Sequence, residues 1–182
     1  MQTYPIHTID SAPDGAKQSL EALHTAFGMI PNLAATMANS PALVNTFVAA
    51  FGQFAGTSLS GAERQILLMS NAVANKSAWP VAFHSTLALR EGVAAADVEA
   101  IRGGHVPSEP RLAALSTITR RLIETRGHLD EGDVKSFLAA GFDDAELFDV
   151  ITGVAVSAMA NYTSNVARPQ LEQAFQAQVW KE

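Results

Sequence analysis

The chain has 182 residues, 48% of them apolar, which is the length of one domain with a full core, expected to run over 1–182. Its 12 lysines and arginines against 18 aspartates and glutamates give a net charge of −6 with no basic cluster, which speaks against a nucleic-acid surface or an anionic-membrane surface. Cysteine is absent, which excludes disulfides, thiolate metal sites and thiol redox chemistry by the protein itself. Residues 1–10 read as an extended arm. They carry no basic segment followed by an apolar run, so no signal peptide is expected. No apolar run reaches ~18 residues, so no helix is expected to span a membrane, and a cytoplasmic location is the default expectation. Ser11 and Asp14 are placed to cap a first helix with Leu20, Leu23 and Phe27 on its apolar face, ended by Gly28. Pro31 and Asn32 restart a short helix through Leu33 and Met37. Ser40-Pro41 starts the next one, a cap followed by proline at the first helical position. Leu43, Val44, Phe47, Phe51 and Phe54 line one face of it, an aromatic stripe that reads as core.

Residues 59–92, LSGAERQILLMSNAVANKSAWPVAFHSTLALREG, predict two helices joined by a tight turn. Ser60 with Glu63 forms a capping-box pattern, and Ile66, Leu67, Ser70, Val73 and Ala74 recur at helical spacing. Asn75 and Lys76 close that helix. Ser77 is placed to cap the second one, with Pro80 in its first turn, where the missing amide has no intrahelical partner anyway. Gly92 suits the C-terminal end. An antiparallel hairpin then sets the geometry. Gln65 lies about 15 Å before the end of its helix and His84 about 10 Å up the returning one, at 1.5 Å per residue. Gln65 and His84 are therefore expected to be neighbours. Ser77 shares a face with His84 but lies two turns away, too far for a direct hydrogen bond.

Beyond the hairpin, 93–101 suggests a short helix ended by Gly103-Gly104, and 105–110 is the least regular stretch. A longer helix carries Leu112, Leu115, Ile118, Leu122 and Ile123 and stops at Gly127. Asp130 with Asp133, then Asp143 with Glu146, cap two more. In the last of these Gly153, Ala155, Ser157, Ala158 and Ala160 are small enough to let another helix approach closely. Pro169 interrupts it, and Leu171, Phe175 and Val179 predict a terminal amphipathic helix. Sustained period-2 runs and Asn-Gly turns are missing, so the fold class is all-α, with roughly eight helices.

The motif LSGAERQ, a helix, then NKSAWPVAFHS resembles the core of the alkylhydroperoxidase D-like, or carboxymuconolactone decarboxylase, superfamily, whose pattern is LSxxERE followed by NxCxxCxxxHS. FGMIPNLAATMANSP before the hairpin, and RGHLDEGDVKSFLAAGF with GVAVSAMANYTSNVARPQLEQAF after it, resemble a peroxidase-related branch. The resemblance implies an all-α fold built around the hairpin. It also implies a homo-oligomer (dimer, trimer or hexamer), often assembled through that hairpin, and thiol peroxidase chemistry in which two cysteines attack a peroxide and then form a disulfide. A glutamate and the histidine help to move protons. Here Ser77 stands at the first cysteine, Pro80 at the second and Gln65 at the glutamate; only His84 is retained. Trp79 stands where the family often has tyrosine, at the mouth of the site or in a subunit contact. A serine at a helix start stays protonated without an adjacent base, glutamine cannot act as one, and proline offers no resolving group. The expectation is an antioxidant-type scaffold inactive as a thiol peroxidase, with a remnant pocket around His84 open to a small-molecule ligand.

Two alternatives stand beside this. One is a decarboxylase-type enzyme in which His84 is a general acid/base and Gln65 positions the substrate. The other is a non-enzymatic oligomeric binding protein. Tyr162, with Asn161 and Asn165, either contributes to a pocket or belongs to helix–helix hydrogen bonding. His7, His24, His84, His105 and His128 show no i, i+3 or i, i+4 pair, so no metal site is expected. The Gly103-Gly104 pair lacks the strand a phosphate loop needs, and no cofactor is expected.

Overall fold

A computed structural model describes residues 3–181. Among them are nine α-helices, one 3₁₀ helix and no strand, against roughly eight helices read from the sequence. The helices are α1 (Asp14–Phe27), α2 (Asn32–Met37), α3 (Pro41–Ala55), α4 (Gly61–Ala74), α5 (Ala78–Arg90), α6 (Ala95–Arg102), α7 (Pro110–Glu124), α8 (Glu131–Ala139) and α9 (Asp144–Ala167), followed by the 3₁₀ helix Gln173–Gln178. None of the helices in the described residues is long and apolar enough to cross a membrane.

α4 is the hub, with α5, α6, α7 and α9 packed around it. Residues 66–72 are all at most 3% exposed, so this helix is buried on every side rather than along one stripe. Two of its polar side chains find partners inside: the Ser70 and Ser116 hydroxyls lie 2.8 Å apart between α4 and α7, and Asn71 accepts through Oδ1 from Asn161. α9 comes close to α3 and α4 because Gly153 has no side chain. A Cβ there would stand 2.7 Å from Leu67 Cδ2 and 2.8 Å from Phe54 Cε2. One core cluster gathers α1–α3 around Leu20, Leu33 and Val44 and reaches Trp79 and Phe83 on α5. A second joins α3, α4, α7, α8 and α9 through Phe54, Leu67, Leu115, Phe137 and Val150. A third packs α4, α5 and α6 through Ile66, Met69, Ala88 and Ile101.

Of the four caps predicted at this spacing, three form as capping boxes, at Ser60/Glu63, Asp130/Asp133 and Asp143/Glu146. Two of them are also tied to each other. Arg111, in the first turn of α7, donates from Nε to Glu63 at 2.6 Å and from Nη2 to Glu146 at 3.0 Å. It also bonds the Gly141 carbonyl and lies 3.6 Å over the Phe142 ring. The N-termini of α4, α7 and α9 therefore meet at one guanidinium.

Three local expectations are corrected. α1 has no side-chain cap: Pro13 precedes it, and the Ser11 hydroxyl accepts the Thr8 N–H at 2.9 Å, closing the turn before the helix instead. Ser77 occupies the cap position of α5 but its hydroxyl makes no cap bond; it is fully buried and donates to the Asn161 carbonyl at 3.3 Å. The terminal amphipathic helix is a six-residue 3₁₀ segment. It is held at both ends. Glu172 accepts from the Asn32 N–H at 2.6 Å and from the Trp79 indole at 2.9 Å. Arg102 takes the carbonyls of Gln178 and Val179, each at 3.0 Å. The N-terminal arm runs without regular structure from residue 3 to 8 and is stitched to α2 by His7 N–H to the Ala35 carbonyl at 3.3 Å. Residues 1 and 2, also assigned to that arm, lie outside the described residues.

Candidate functional site

The α4–α5 hairpin reverses at Lys76, which adopts a left-handed φ of 52°. The two helices then run antiparallel, and the side chains of Gln65 and His84 meet as the rise per residue predicts: Nδ1 of His84 lies 2.9 Å from Oε1 of Gln65. With that oxygen accepting, Nδ1 carries the hydrogen and Nε2 carries the lone pair. Nε2 has no partner among the described residues and is not sealed off, and His84 lines the adjoining chamber. The ring is 8% exposed and stands edge-on to Phe83 at 5.1 Å between centroids. Burial lowers the imidazole's pKa from 6.5 to about 3. His84 is neutral at physiological pH, an acceptor at Nε2 and not an acid.

The chamber lies between α1, α2, α3, α4, α5 and α9. Its walls are apolar, with Phe27, Phe47, Phe51, Trp79, Phe83 and Leu68 prominent. About 40 Å³ is open to the centres of water molecules, above the roughly 10–15 Å³ that one water needs. The wall has no cation and no carboxylate; its hydrogen-bonding side chains are His84, Ser157 and Trp79, the last already donating to Glu172. Trp79 is 7% exposed, stacked on Phe83 at 5.0 Å and held by Glu172, so it is a wall of the chamber. Phe175 of the 3₁₀ segment packs behind both rings, 6.1 Å from Trp79 and 5.0 Å from Phe83.

Of the residues singled out in the sequence, His84, Gln65, Pro80 and Trp79 come together here. Pro80 lines the chamber beside His84. Ser77 does not: it is buried behind, bonded to α9 and not to His84. Tyr162 lies elsewhere, 62% exposed on the rim of a separate cleft between α7 and α9. Its neighbours Asn161 and Asn165 tie α9 to α4, donating to Asn71 Oδ1 at 2.8 Å and to the Asn75 carbonyl at 2.9 Å. Sequence reasoning missed Ser157, read only as a small packing residue. The residue is 3% exposed, lines the chamber and has no hydrogen-bond partner among the described residues. The α3 aromatic stripe gave the other missed signal: Phe47 and Phe51 line the chamber as well as pack, while Phe54 is core. Among the described residues no group of three His, Asp or Glu side chains is placed to hold a metal ion.

No protein-family model matches the sequence, and no curated protein matches it. Solved structures match across almost the whole chain. An uncharacterized peroxidase-related protein from Ralstonia eutropha JMP134, an alkylhydroperoxidase AhpD core, aligns with a TM-score of 0.83 at 19% identity over 98% of this chain and 97% of that one. An uncharacterized peroxidase-related protein from Silicibacter sp. TM1040 aligns with a TM-score of 0.80 at 17% identity, over 97% and 94%. The debrominase Bmp8, in a cysteine-to-alanine variant in complex with 2,3,4-tribromopyrrole, aligns with a TM-score of 0.79 at 16% identity, over 98% and 95%. The fold is thus the alkylhydroperoxidase D-like one that the hairpin motif resembles.

Proposed function

We propose that this protein is a cysteine-free member of the alkylhydroperoxidase D-like superfamily. Its chamber binds a small, flat, largely apolar molecule that offers one hydrogen-bond donor to His84. The observation that carries the reading is the asymmetry of the imidazole: Nδ1 is fixed by Gln65, while Nε2 is unpaired at the edge of an otherwise apolar chamber. An acceptor without a protein partner at the edge of an apolar chamber favours a ligand that brings a donor. Phe27, Phe47 and Phe51, all only half-buried, are the walls that have to swing outward to admit a ring. The debrominase complex is in keeping with this, since tribromopyrrole is a flat halogenated ring with one N–H.

Thiol peroxidase chemistry has no nucleophile here, because the chain contains no cysteine. The decarboxylase-type alternative has less support. A lactone acid brings a carboxylate into a chamber whose wall holds no cation, and His84 at about 3 is neutral rather than acidic at pH 7. Titration of the protein with 4-bromophenol and with its O-methyl ether, followed by the ring ¹⁵N signals of His84, tests the reading. The phenol is expected to saturate and to shift Nε2, with the ether at least tenfold weaker, and His84→Ala is expected to erase that difference. Equal binding of phenol and ether, or no saturation at millimolar concentration, overturns it. In a dithiol-coupled peroxide assay the parent chain is expected to be silent, and turnover by it would refute the proposal from the other side. The Ser77→Cys/Pro80→Cys variant then reports whether the scaffold still supports a thiol cycle.

A further inference from the structure

Among the described residues seven serines are buried, and five of them have a partner. Ser19 bonds Asn45, Ser70 and Ser116 bond each other, Ser77 bonds the Asn161 carbonyl and Ser85 the Met69 sulfur. Ser157 and Ser164, both on α9, bond to nothing among the described residues. Ser164 opens on a separate cleft beside Ala78 and Pro169. Ser157 lines the chamber of His84, between Val156 and Ala160. A hydroxyl inside a helix ordinarily returns to the carbonyl four residues back. Thr152 and Thr163 on the same helix do so, to Phe148 and Met159 at 3.3 and 2.8 Å, and Ser157 does not. Unlike Nδ2 of Asn71, its oxygen is not sealed away from solvent.

We propose that Ser157 is the second ligand-binding group of the chamber, and that the ligand is a neutral hydroxyaryl carbonyl compound. This rests on the reading of the chamber as a binding site for a flat, apolar molecule. The two polar groups call for different partners. With Nδ1–H held by Gln65, the neutral imidazole only accepts at Nε2. The Ser157 hydroxyl can donate, and it is the wall's side-chain donor left without an acceptor, since the Trp79 indole N–H goes to Glu172. A ligand that fills both brings one O–H or N–H and one acceptor. His84 stands on α5 and Ser157 on α9, so a rigid ring reaches the two walls with its polar groups at separate positions. The acceptor is uncharged, because the wall holds no cation and a carboxylate without one is costly to take out of water. An aryl ketone or aldehyde meets these demands and stays planar between aromatic walls. A site built to pair a ligand's polar group discriminates strongly against the analogue that lacks it.

Calorimetric titration of the full chain tests this at about pH 6.5, where phenols are neutral. It compares 4- and 3-hydroxyacetophenone with the matching ethylphenols, in which a methylene replaces the carbonyl. At least one ketone is expected to bind the parent about tenfold tighter than its ethylphenol. Ser157→Ala removes one oxygen from a face of small residues, so circular dichroism is expected to match the parent. In that variant the ketone and its ethylphenol are expected to bind equally. The C=O stretching band of the bound ketone is expected at lower frequency in the parent than in Ser157→Ala, which reports the hydrogen bond itself and not a change in packing. 4-Hydroxybenzoate is expected to bind the parent more weakly than the ketone. A ketone preference that survives in Ser157→Ala, a stretching band that is the same in both proteins, ketones no tighter than their ethylphenols, or a benzoate as tight as the ketone overturns the proposal. In each of these cases ethylphenol binding that His84→Ala abolishes leaves the reading of the chamber standing. If no phenol saturates the parent at millimolar concentration, both fall together.

Discussion

Glu63 and Gln65 lie two residues apart on α4 and point to opposite sides of it, as i, i+2 residues on a helix must. They serve two buried titratable sites built on opposite principles. On one side Glu63 is kept ionised. Burial works against its charge, but the Ser60 N–H, Arg111 and the Ser60 hydroxyl outweigh that and hold its carboxyl below the ordinary range. On the other side His84 is kept neutral. Burial lowers it to about 3, and its one partner, Gln65, brings no charge to oppose that. The first site has its hydrogen bonds filled from within the chain and holds three helix starts together. The second leaves a ring nitrogen open toward a chamber. Here satisfied charge holds the architecture, and the open imidazole nitrogen is what the proposed ligand would use.

The largest expected effect comes from breaking the first site. Arg111→Ala leaves Glu63 and Glu146 facing each other with little solvent. A loss of about 2–4 kcal/mol is expected in urea unfolding at pH 7, below the usual cost of breaking a buried pair because the Arg111 side chain is itself 32% exposed. Arg111→Lys is expected to recover less than half, since a point charge cannot reach both carboxylates and the Gly141 carbonyl together. The deficit is expected to shrink below about pH 4.5. A depressed carboxyl contributes stability that is present above its unfolded value and lost as pH falls through the folded one.

The second site breaks in a different pH window. His84 binds a proton in the unfolded chain below about 6.5 but in the folded one only near 3, so folding loses stability as pH falls between those values. The slope is about 1.4 kcal/mol per pH unit, or about 2 kcal/mol at pH 5 relative to pH 7. His84→Gln is expected to flatten that arm of the stability curve while leaving the arm below 4.5 in place. Urea midpoints measured from pH 7 to pH 4 separate the two. An unchanged slope in the variant contradicts the burial of a neutral imidazole.

The sequence made much of the first site readable and only half of the second. Capping boxes are local: Ser60 and Glu63, or Asp143 and Glu146, are three residues apart, and helix geometry alone puts them together. The Gln65–His84 pair was also legible, because a hairpin converts residue counts into distances. What stayed hidden depends on partners far along the chain. Arg111 lies 48 residues from Glu63, and Glu172 lies 93 from Trp79. Neither spacing carries a signal, so the triple junction and the pinned 3₁₀ segment were both invisible. Ser77 misled for a related reason. Serine before a helix is a good cap, but here the hydroxyl turns inward to a carbonyl of α9, a helix whose position no local rule supplies. Ser157 was hidden because a small residue on a small-residue face reads as packing whether or not its hydroxyl opens on a chamber.

A gentler perturbation sharpens the contrast from within the second site. Gln65→Leu leaves the Nδ1–H of His84 without an acceptor, and a loss of about 1–2 kcal/mol is expected. Gln65→Glu places a carboxylate 2.9 Å from that nitrogen and converts the site toward the principle of the first one. The imidazole pKa is then expected to rise by at least about one unit above its parent value, read from the pH titration of its ring ¹⁵N signals. No rise means that the chamber's burial dominates even an adjacent charge.

The smallest effect is expected at Ser77. Its bond to the Asn161 carbonyl is long at 3.3 Å and joins two neutral groups, so Ser77→Ala is expected to cost about 0.5–1 kcal/mol. It is also expected to leave the His84 ¹⁵N signals and phenol binding unchanged, because Ser77 neither touches the imidazole nor lines the chamber. The two residues share a face of α5, which is why they read as one site in the sequence. They are separated by what each hydrogen-bonds to: α9 for the hydroxyl, α4 for the ring. A shift of the His84 signals in Ser77→Ala reunites them and makes the start of α5 part of the site. Silence there assigns Ser77 to the packing of α5 against α9 and leaves Pro80 as the α5 position beside His84 where a new reactive side chain meets the ligand.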